Sequence, residues 1–262
     1  MTPDQISRAA ETFARARREG VQFDALPPDC CIPDMDHGYA VQEALHEKLG
    51  GRIVGYKIGC TTAVMQKFLN ITEPCAGSIQ ESHLYISPVE LPHDRFCHVG
   101  VECEIAVRLS CDLSPDEAPF DRNSVANAVG ACMPAIEIVD DRYVDYPSLS
   151  AATLIADDFF GAGCVLGPVC TDWWQLNLGA ISAAMSINGK EVGTGIGAHV
   201  MGHPLEALAW LANTFARQNR GLEKGQIVLT GSIVETQWVS VADTVTVSVH
   251  GLGEAKVRFT KS

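Results

Sequence analysis

Apolar positions along the chain change their spacing near residue 52, and the change divides the sequence into two kinds of structure. Before it, Ile6, Ala9, Ala10 and Phe13 recur at three- and four-residue intervals, the period of a helix with one buried face. Thr2 and Gln5 stand in capping-box positions with Pro3 at the first helical position, and Gly20 supplies the stop. A connector with Pro27, Pro28 and Pro33 follows, and a second helix is predicted from Asp36 as N-cap to Gly50-Gly51. From residue 52 the period falls to two. Strands are predicted over 52–58, 99–109, 134–139, 163–166 and 181–187, and again over 226–230, 238–241, 244–249 and 255–259. Asn188-Gly189 closes a hairpin after the 181–187 strand. Two helices interrupt the strands: a short one over 61–69, and a long one opened by Pro204, lined by Leu205, Leu208, Leu211, Ala212 and Phe215, and closed by Gly221.

Helices do not alternate regularly with strands, which argues against a doubly wound sheet. The pattern predicts an α+β, β-rich fold with a helical region over 1–51 packed on a main domain over 52–262. Neither N-terminal helix is apolar enough to stand alone.

Composition narrows the function. The 262 residues are 47% hydrophobic, and 19 Lys and Arg against 32 Asp and Glu leave a net charge of −13. No basic stripe is present to neutralise phosphates, so nucleic acid and anionic membranes are poor partners. Mean hydropathy is +0.08, no apolar run is long enough for a transmembrane helix, and the N-terminus lacks the apolar core of a signal peptide. A cytoplasmic protein is expected. The ten cysteines include no CxxC pair and are read as structural thiols. An anionic substrate would need a local cation to hold it.

Carboxylates supply candidates for that role. In the 99–109 strand, Val101, Cys103, Ile105 and Val107 share one face, while Glu102 and Glu104 share the other, about 7 Å apart. Taken alone, such a pair is compatible with a solvated strand face. Glu137, however, interrupts the run Pro134-Ala135-Ile136-Glu137-Ile138-Val139, which is apolar on both faces, as a buried strand is. A buried carboxylate needs a cation, either a side chain such as Arg142 or a metal ion. Three carboxylates from two strands suit a hard divalent cation.

Lys57, in Gly55-Tyr56-Lys57-Ile58-Gly59, shares a strand face with two glycines that leave space above it. It fits a ligand pocket, or an edge strand guarded by a lysine. Thr230-Gly231-Ser232 offers hydroxyls and amides for substrate oxygens, or forms an ordinary turn. Gly193-Thr194-Gly195-Ile196-Gly197 lacks the Walker lysine and reads as a flexible connection, and no GxSxG elbow of a serine hydrolase occurs.

Together these residues resemble the 2-keto-4-pentenoate hydratase / 4-oxalocrotonate decarboxylase group of the fumarylacetoacetate hydrolase superfamily. The likeness runs from Tyr39-Ala40-Val41-Gln42 through the Gly55–Gly59 segment, Glu73-Pro74, the Glu102/Glu104 pair and Pro134–Asp140. It continues in His203-Pro204, Ala209-Trp210-Leu211-Ala212-Asn213 and Leu222-Glu223-Lys224-Gly225-Gln226-Ile227. The resemblance implies a mixed β-roll, homo-oligomers, Mg²⁺ or Mn²⁺ on Glu102, Glu104 and Glu137, and Lys57 in the active site. It implies chemistry on a short unsaturated oxo-acid, in which the metal chelates the carboxylate and 2-oxo oxygens, and association with another enzyme of the same pathway. Substrate contacts fall to Gly59, Thr230, Gly231 and Ser232.

Three departures stand out. Hydratases of the group usually read Pro-Asp-(Phe/Tyr)-Gly where this chain has Pro74-Cys75-Ala76-Gly77, and Gly100 stands where an Arg often precedes the Glu pair. The Asp-Asn-Ala stretch appears as Asp157-Asp158-Phe159-Phe160, which keeps Asp157 as a candidate for proton handling beside Lys57. His83 and Glu81 are the candidates for a replacement acid or base. The leading expectation is hydration of 2-hydroxypenta-2,4-dienoate. Decarboxylation of a 2-oxo-hexenedioate, acylpyruvate C–C hydrolysis and oxo-acid tautomerisation are the alternatives, and a non-catalytic acid-binding member is a further one.

Overall fold

In the computed structural model, which describes residues 1–261, helix α1 (Pro3–Glu19) starts on the expected capping box at Thr2 and stops at Gly20, whose φ is +64°. Helix α2 (Met35–Leu49) begins earlier than the sequence pattern suggests, because Asp34 and not Asp36 caps it, accepting from the His37 amide at 2.9 Å. The chain then enters β1 (Ile53–Gly59), a short α3 (Ala63–Phe68), β2 (Cys75–Gln80), β3 (Leu84–Ile86), β4 (Val89–Pro92) and β5 (Val99–Leu109). After α4 (Arg122–Ala126) come β6 (Val129–Asp140), α5 (Ala151–Ala156) and β7 (Gly161–Leu166). The C-terminal part runs β8 (Ser182–Ile187), β9 (Lys190–Ile196), α6 (Pro204–Arg217), β10 (Ile227–Leu229), β11 (Val234–Trp238), β12 (Thr244–Val249) and β13 (Gly253–Thr260).

Several elements differ from the pattern reading, each for a local reason. Strand β6 is continuous over its twelve residues, since nearly every position on both faces is buried. Gly193–Gly197 is not a flexible connection: most of it forms β9, the second arm of the Asn188-Gly189 hairpin. Its alternating glycines lie under Val234 and Ile233, where a Cβ would approach within 2.3 and 2.4 Å. Helix α6 ends at Arg217, four residues short of Gly221. Strand β11 lies at Val234–Trp238, ahead of the predicted 238–241 segment. Strands β2, β3 and β4 are short and carry no strong alternation.

The strands form two sheets. One has the order β2-β1-β10-β5-β6-β7-β3, with β11 also on β5; the other has the order β4-β13-β12-β8-β9. Strands β12 and β13 pack on β6, so the sheets close over a shared core that also takes in Phe13 of α1 and Leu45 of α2. This mixed β-roll, with helices at its N-terminal side, is the fold the resemblance implied.

One edge of β5 positions the site. Strand β10 pairs with its lower half (Leu229↔Ala106) and β11 with its upper half (Val234↔Cys103). Between them Thr230–Ile233 leaves the ladder, with amides of Thr230 and Ile233 reaching the carbonyls of Ile105 and Cys103. That break falls beside Glu104. Gly231, at φ +118°, turns its amide out of the ladder there.

Candidate metal centre

Antiparallel pairing of β5 and β6 sets Glu102 directly opposite Glu137 and Glu104 opposite Ala135. Directly opposed residues share a face, so the three carboxylates converge. Oxygens from Glu102, Glu104 and Glu137 all lie within 4.8 Å of one another. Glu104 is 0% and Glu137 2% exposed, which excludes a solvated strand face.

Each carboxylate has one designed contact. The Gly231 amide donates to Glu104 Oε2 at 2.8 Å, and the Thr236 hydroxyl on β11 donates to Glu102 Oε1. Lys57 Nζ stands 3.0 Å from Glu137 Oε1, an ion contact without hydrogen-bond geometry. Glu104 Oε1 and Glu137 Oε1 accept no hydrogen bond from the described residues. Buried, orphaned carboxylate oxygens are costly unless a cation takes them up.

The charges respond accordingly. Burial, followed by the neighbouring Glu137, pushes Glu102 up to about 7 against the Thr236 hydroxyl and the Lys57 charge. Burial, then Glu137 and Glu102, holds Glu104 well above the carboxylate range. Burial disfavours the Lys57 ammonium, but Glu137, Glu102 and Glu104 outweigh it and its pKa is raised. One lysine faces three carboxylates, so the donor set fits a hard divalent cation with oxygen ligands. Glu104 Oε1, with neither a hydrogen-bond donor nor an ion pair among the described residues, is the direct sign of the fit.

Lys57 is placed by the segment that departs from the group's Asp-Asn-Ala stretch, a role the sequence does not show. Asp158, Phe159 and Phe160 have φ of 57°, 47° and 65°, three successive non-glycine residues in the left-handed region. Such conformations cost about 1–2 kcal/mol per residue. The segment is held by ionic contacts: Asp158 binds Arg17 (3.0 Å), His46 (2.8 Å) and the Ser78 amide (3.0 Å), and Arg142 donates to Gly161 O (3.1 Å). The turn presents the Phe159 carbonyl to Lys57 Nζ at 2.5 Å and the Phe159 ring at 5.1 Å. Gly59 on the same strand face and Gly77 opposite Lys57 serve this packing. A Cβ on Gly59 would lie 3.0 Å from the Phe159 ring, and one on Gly77 would lie 2.6 Å from Asp158 O.

A narrow, partly open cleft reaches Lys57 and Glu137, with Arg17, Gln80, His83 and Asp158 on its walls. His83 therefore joins Lys57 there, and burial, then Arg95, lowers its pKa. Asp157 does not point into the cleft. It is 2% exposed and receives Arg17 (2.7 Å), Arg142 (3.1 Å) and the Tyr143 hydroxyl (3.1 Å). Arg142 is thus the partner of Asp157 and not of Glu137. Gly59 is covered by the Phe159 ring. The Thr230 hydroxyl donates to Ile105 O at 2.9 Å and Ser232 to Val234 O at 2.5 Å, so this turn spends its polar groups on backbone and on Glu104.

Arg17, His46, Asp158 and Thr236 were missed in the sequence. Only Asp158, beside a family position, carried a local signal. The others come from elements far apart in the chain.

The structure thus defines a β-roll in which three carboxylates from β5 and β6 meet a lysine from β1. The family described as fumarylacetoacetate (FAA) hydrolase C-terminal matches residues 68–260. The chain is 31% identical to a 2-keto-4-pentenoate hydratase of Paraburkholderia xenovorans (strain LB400), over 99% of this chain and 96% of that one. It is 33% identical to a 2-oxo-hept-4-ene-1,7-dioate hydratase of Escherichia coli, over 95% and 96%. The solved 4-oxalocrotonate decarboxylase from Pseudomonas putida G7, complexed with magnesium and adipate, superposes with a TM-score of 0.92 at 25% identity, covering 99% of this chain and 98% of that one. The chain belongs to the fumarylacetoacetate hydrolase family.

Proposed function

We propose that the protein is a divalent-metal-dependent lyase that adds water to a short 2-hydroxy-dienoic or 2-oxo-enoic acid. 2-Hydroxypenta-2,4-dienoate, giving 4-hydroxy-2-oxopentanoate, is the lead substrate. The observation that carries the reading is the convergence of Glu102, Glu104 and Glu137 beside Lys57, with Glu104 Oε1 left without a partner among the described residues. Mg²⁺ or Mn²⁺ held by those three residues would supply a Lewis acid for the charge that builds on a 2-oxo-acid as it ketonises.

The chain's own groups do the rest. Lys57 Nζ has three donors, one directed to Phe159 O and one side facing Glu137, which leaves a third for the substrate. It orients the acid, gives a proton to C5 and regains the one the 2-hydroxyl releases, so that ketonisation to the 2-oxo-3-enoate leaves it unchanged. His83, kept neutral by burial, can take a proton from the water as it adds to C4 of the conjugated double bond and return that proton to C3. Asp157 acts as a positioning residue: by fixing Arg17 and Arg142 it holds the turn that presents Phe159 O to Lys57. The likeness to hydratases and the buried carboxylate set support the reading. A cytoplasmic homo-oligomer working beside another enzyme of the same pathway completes the proposal.

The test follows the ultraviolet absorbance of 2-hydroxypenta-2,4-dienoate with Mg²⁺ or Mn²⁺, against an EDTA control. Metal-dependent loss of the diene signal with the hydroxy-oxo-acid as product is expected; no loss with folded, metal-loaded protein overturns it. Cys75 favours one second reading, decarboxylation of a 2-oxo-hexenedioate, because a buried thiol occupies the place of the acidic side chain usual in the group's hydratases. That substrate, assayed in the same way, would release CO₂.

A further inference from the structure

Two of the ten cysteines lie together at the edge of the lysine site, and nothing in the proposed reaction uses them as a pair. Strands β1 and β2 pair antiparallel with Lys57 opposite Gly77 and Gly59 opposite Cys75, so Cys75 shares the face of Lys57. Cys60 is one residue beyond that register pair. An extended backbone would send its side chain to the opposite face. Instead Cys60 has φ +56°, a left-handed conformation unusual for cysteine, and this breaks the alternation. Cys60 thereby sits beside the Gly59↔Cys75 register pair, and the two thiols perturb each other's ionisation. The next residue, Thr61, packs on Gly231, whose amide holds Glu104. The dithiol therefore borders both the lysine and the carboxylates.

We propose that Cys60 and Cys75 are an oxidisable dithiol that closes to an intramolecular disulfide with a peroxide as oxidant. The balance is two thiols plus one hydroperoxide giving one disulfide, water and the corresponding alcohol, or two waters from hydrogen peroxide. The Cys60 thiolate attacks the peroxide oxygen, the O–O bond breaks, and a sulfenic acid forms. Cys75 then attacks that sulfur and hydroxide leaves with the thiol proton as water. The order of events follows from the surroundings. The Cys75 thiol, and beyond it the Lys57 charge, favour the Cys60 thiolate against its burial, whereas Cys75 is held well into the thiol form by Cys60 and by burial. Cys60 also keeps a little solvent access, 8% against 0% for Cys75.

Oxidation would tie the ends of the loop that carries α3, a helix without a buried residue. That loop changes from a segment hinged at two thiols into a closed ring beside Lys57. Cys31, Cys97 and Cys111, which are exposed, serve as internal comparison because no geometry favours a partner for them.

The test treats the full-length protein with stoichiometric hydrogen peroxide, blocks remaining thiols under denaturing conditions and maps peptides by mass spectrometry. The expected result is a 60–75 linked peptide, lighter by two hydrogens, that disappears with dithiothreitol and forms before half of the exposed thiols are modified. Cys60→Ser and Cys75→Ser should each abolish the link, and in Cys75→Ser the Cys60 sulfenic acid should become trappable by dimedone. Free thiols at both positions after the exposed cysteines have reacted, or over-oxidation of Cys60 without a link, would overturn the proposal. The wild-type cross-link alone decides the matter if either variant folds poorly.

Discussion

Glu137 and Lys57 each hold a charge away from water, and neither is stable there without its surroundings. Replacing Lys57 by Met should cut turnover by roughly 100-fold or more, the usual scale for loss of a general acid. Metal affinity should hold or rise, since a competing cation has gone from beside the carboxylates; calorimetric titration separates the two effects. Glu102→Gln and Glu137→Gln should instead abolish metal binding while circular dichroism stays native. The carboxylates also give a pH dependence with a defined sign. Glu102 is raised from 4.5 to about 7 in the folded chain, so its contribution to the metal-free fold is full below the lower value and is lost as pH rises through the upper one. Metal-free protein should melt at a higher temperature at pH 5.5 than at pH 8. A saturating divalent ion should reverse that order, because it binds the ionised carboxylates and stabilises by about 2.7 kcal/mol at a hundredfold excess over Kd. Equal melting temperatures at both pH values without metal would contradict the assignment of raised carboxyls.

The 157–160 turn shows how an element can be made from unfavourable residues. Its left-handed backbone has no glycine or asparagine to ease it, and two arginines and a histidine hold it in place. Asp157→Asn would leave Arg142 without its buried anion and Arg17 with Asp158 alone. A loss of about 3–5 kcal/mol is expected, the scale for breaking a buried ion pair, read as a fall in the denaturant midpoint. Turnover should fall further than metal affinity, because the turn carries the Phe159 carbonyl that fixes Lys57. The sequence pattern located β5 to the residue and placed both of its faces correctly, since alternation over eleven positions leaves no other solution. It missed β2 and β9. Both contain glycines at which neighbouring backbone or side chains approach closely, and glycine carries no polarity signal.

At the scale of the molecule, the net charge of −13 opposes an anionic substrate before the local cation can attract it. The KM for the dienoate should therefore fall as ionic strength rises from low salt toward physiological values, with kcat little changed, because screening relieves long-range repulsion while the buried contacts are screened less. A KM that rises with salt would mean that the cleft's own cations, Arg17 among them, dominate the field felt by the substrate. Among the described residues no helix is long and apolar enough to cross a membrane. The helical N-terminus is more than a cover for the roll. Through Arg17 it reaches Asp157 and Asp158, so the first helix supports the same turn that orders Lys57.

By itself the chain determined the strands that matter, the face each carboxylate occupies, and the presence of a buried glutamate that required a cation. These follow from period and burial, which are local properties. Only the tertiary structure decided that Glu102 and Glu137 stand in register, that Lys57 and not Arg142 faces Glu137, and that Asp158 rather than Asp157 borders the cleft. Register and ion pairing depend on which strands meet and where the chain folds back. Arg17 and Asp157 are 140 residues apart, and no local pattern of apolar and polar positions records that they touch.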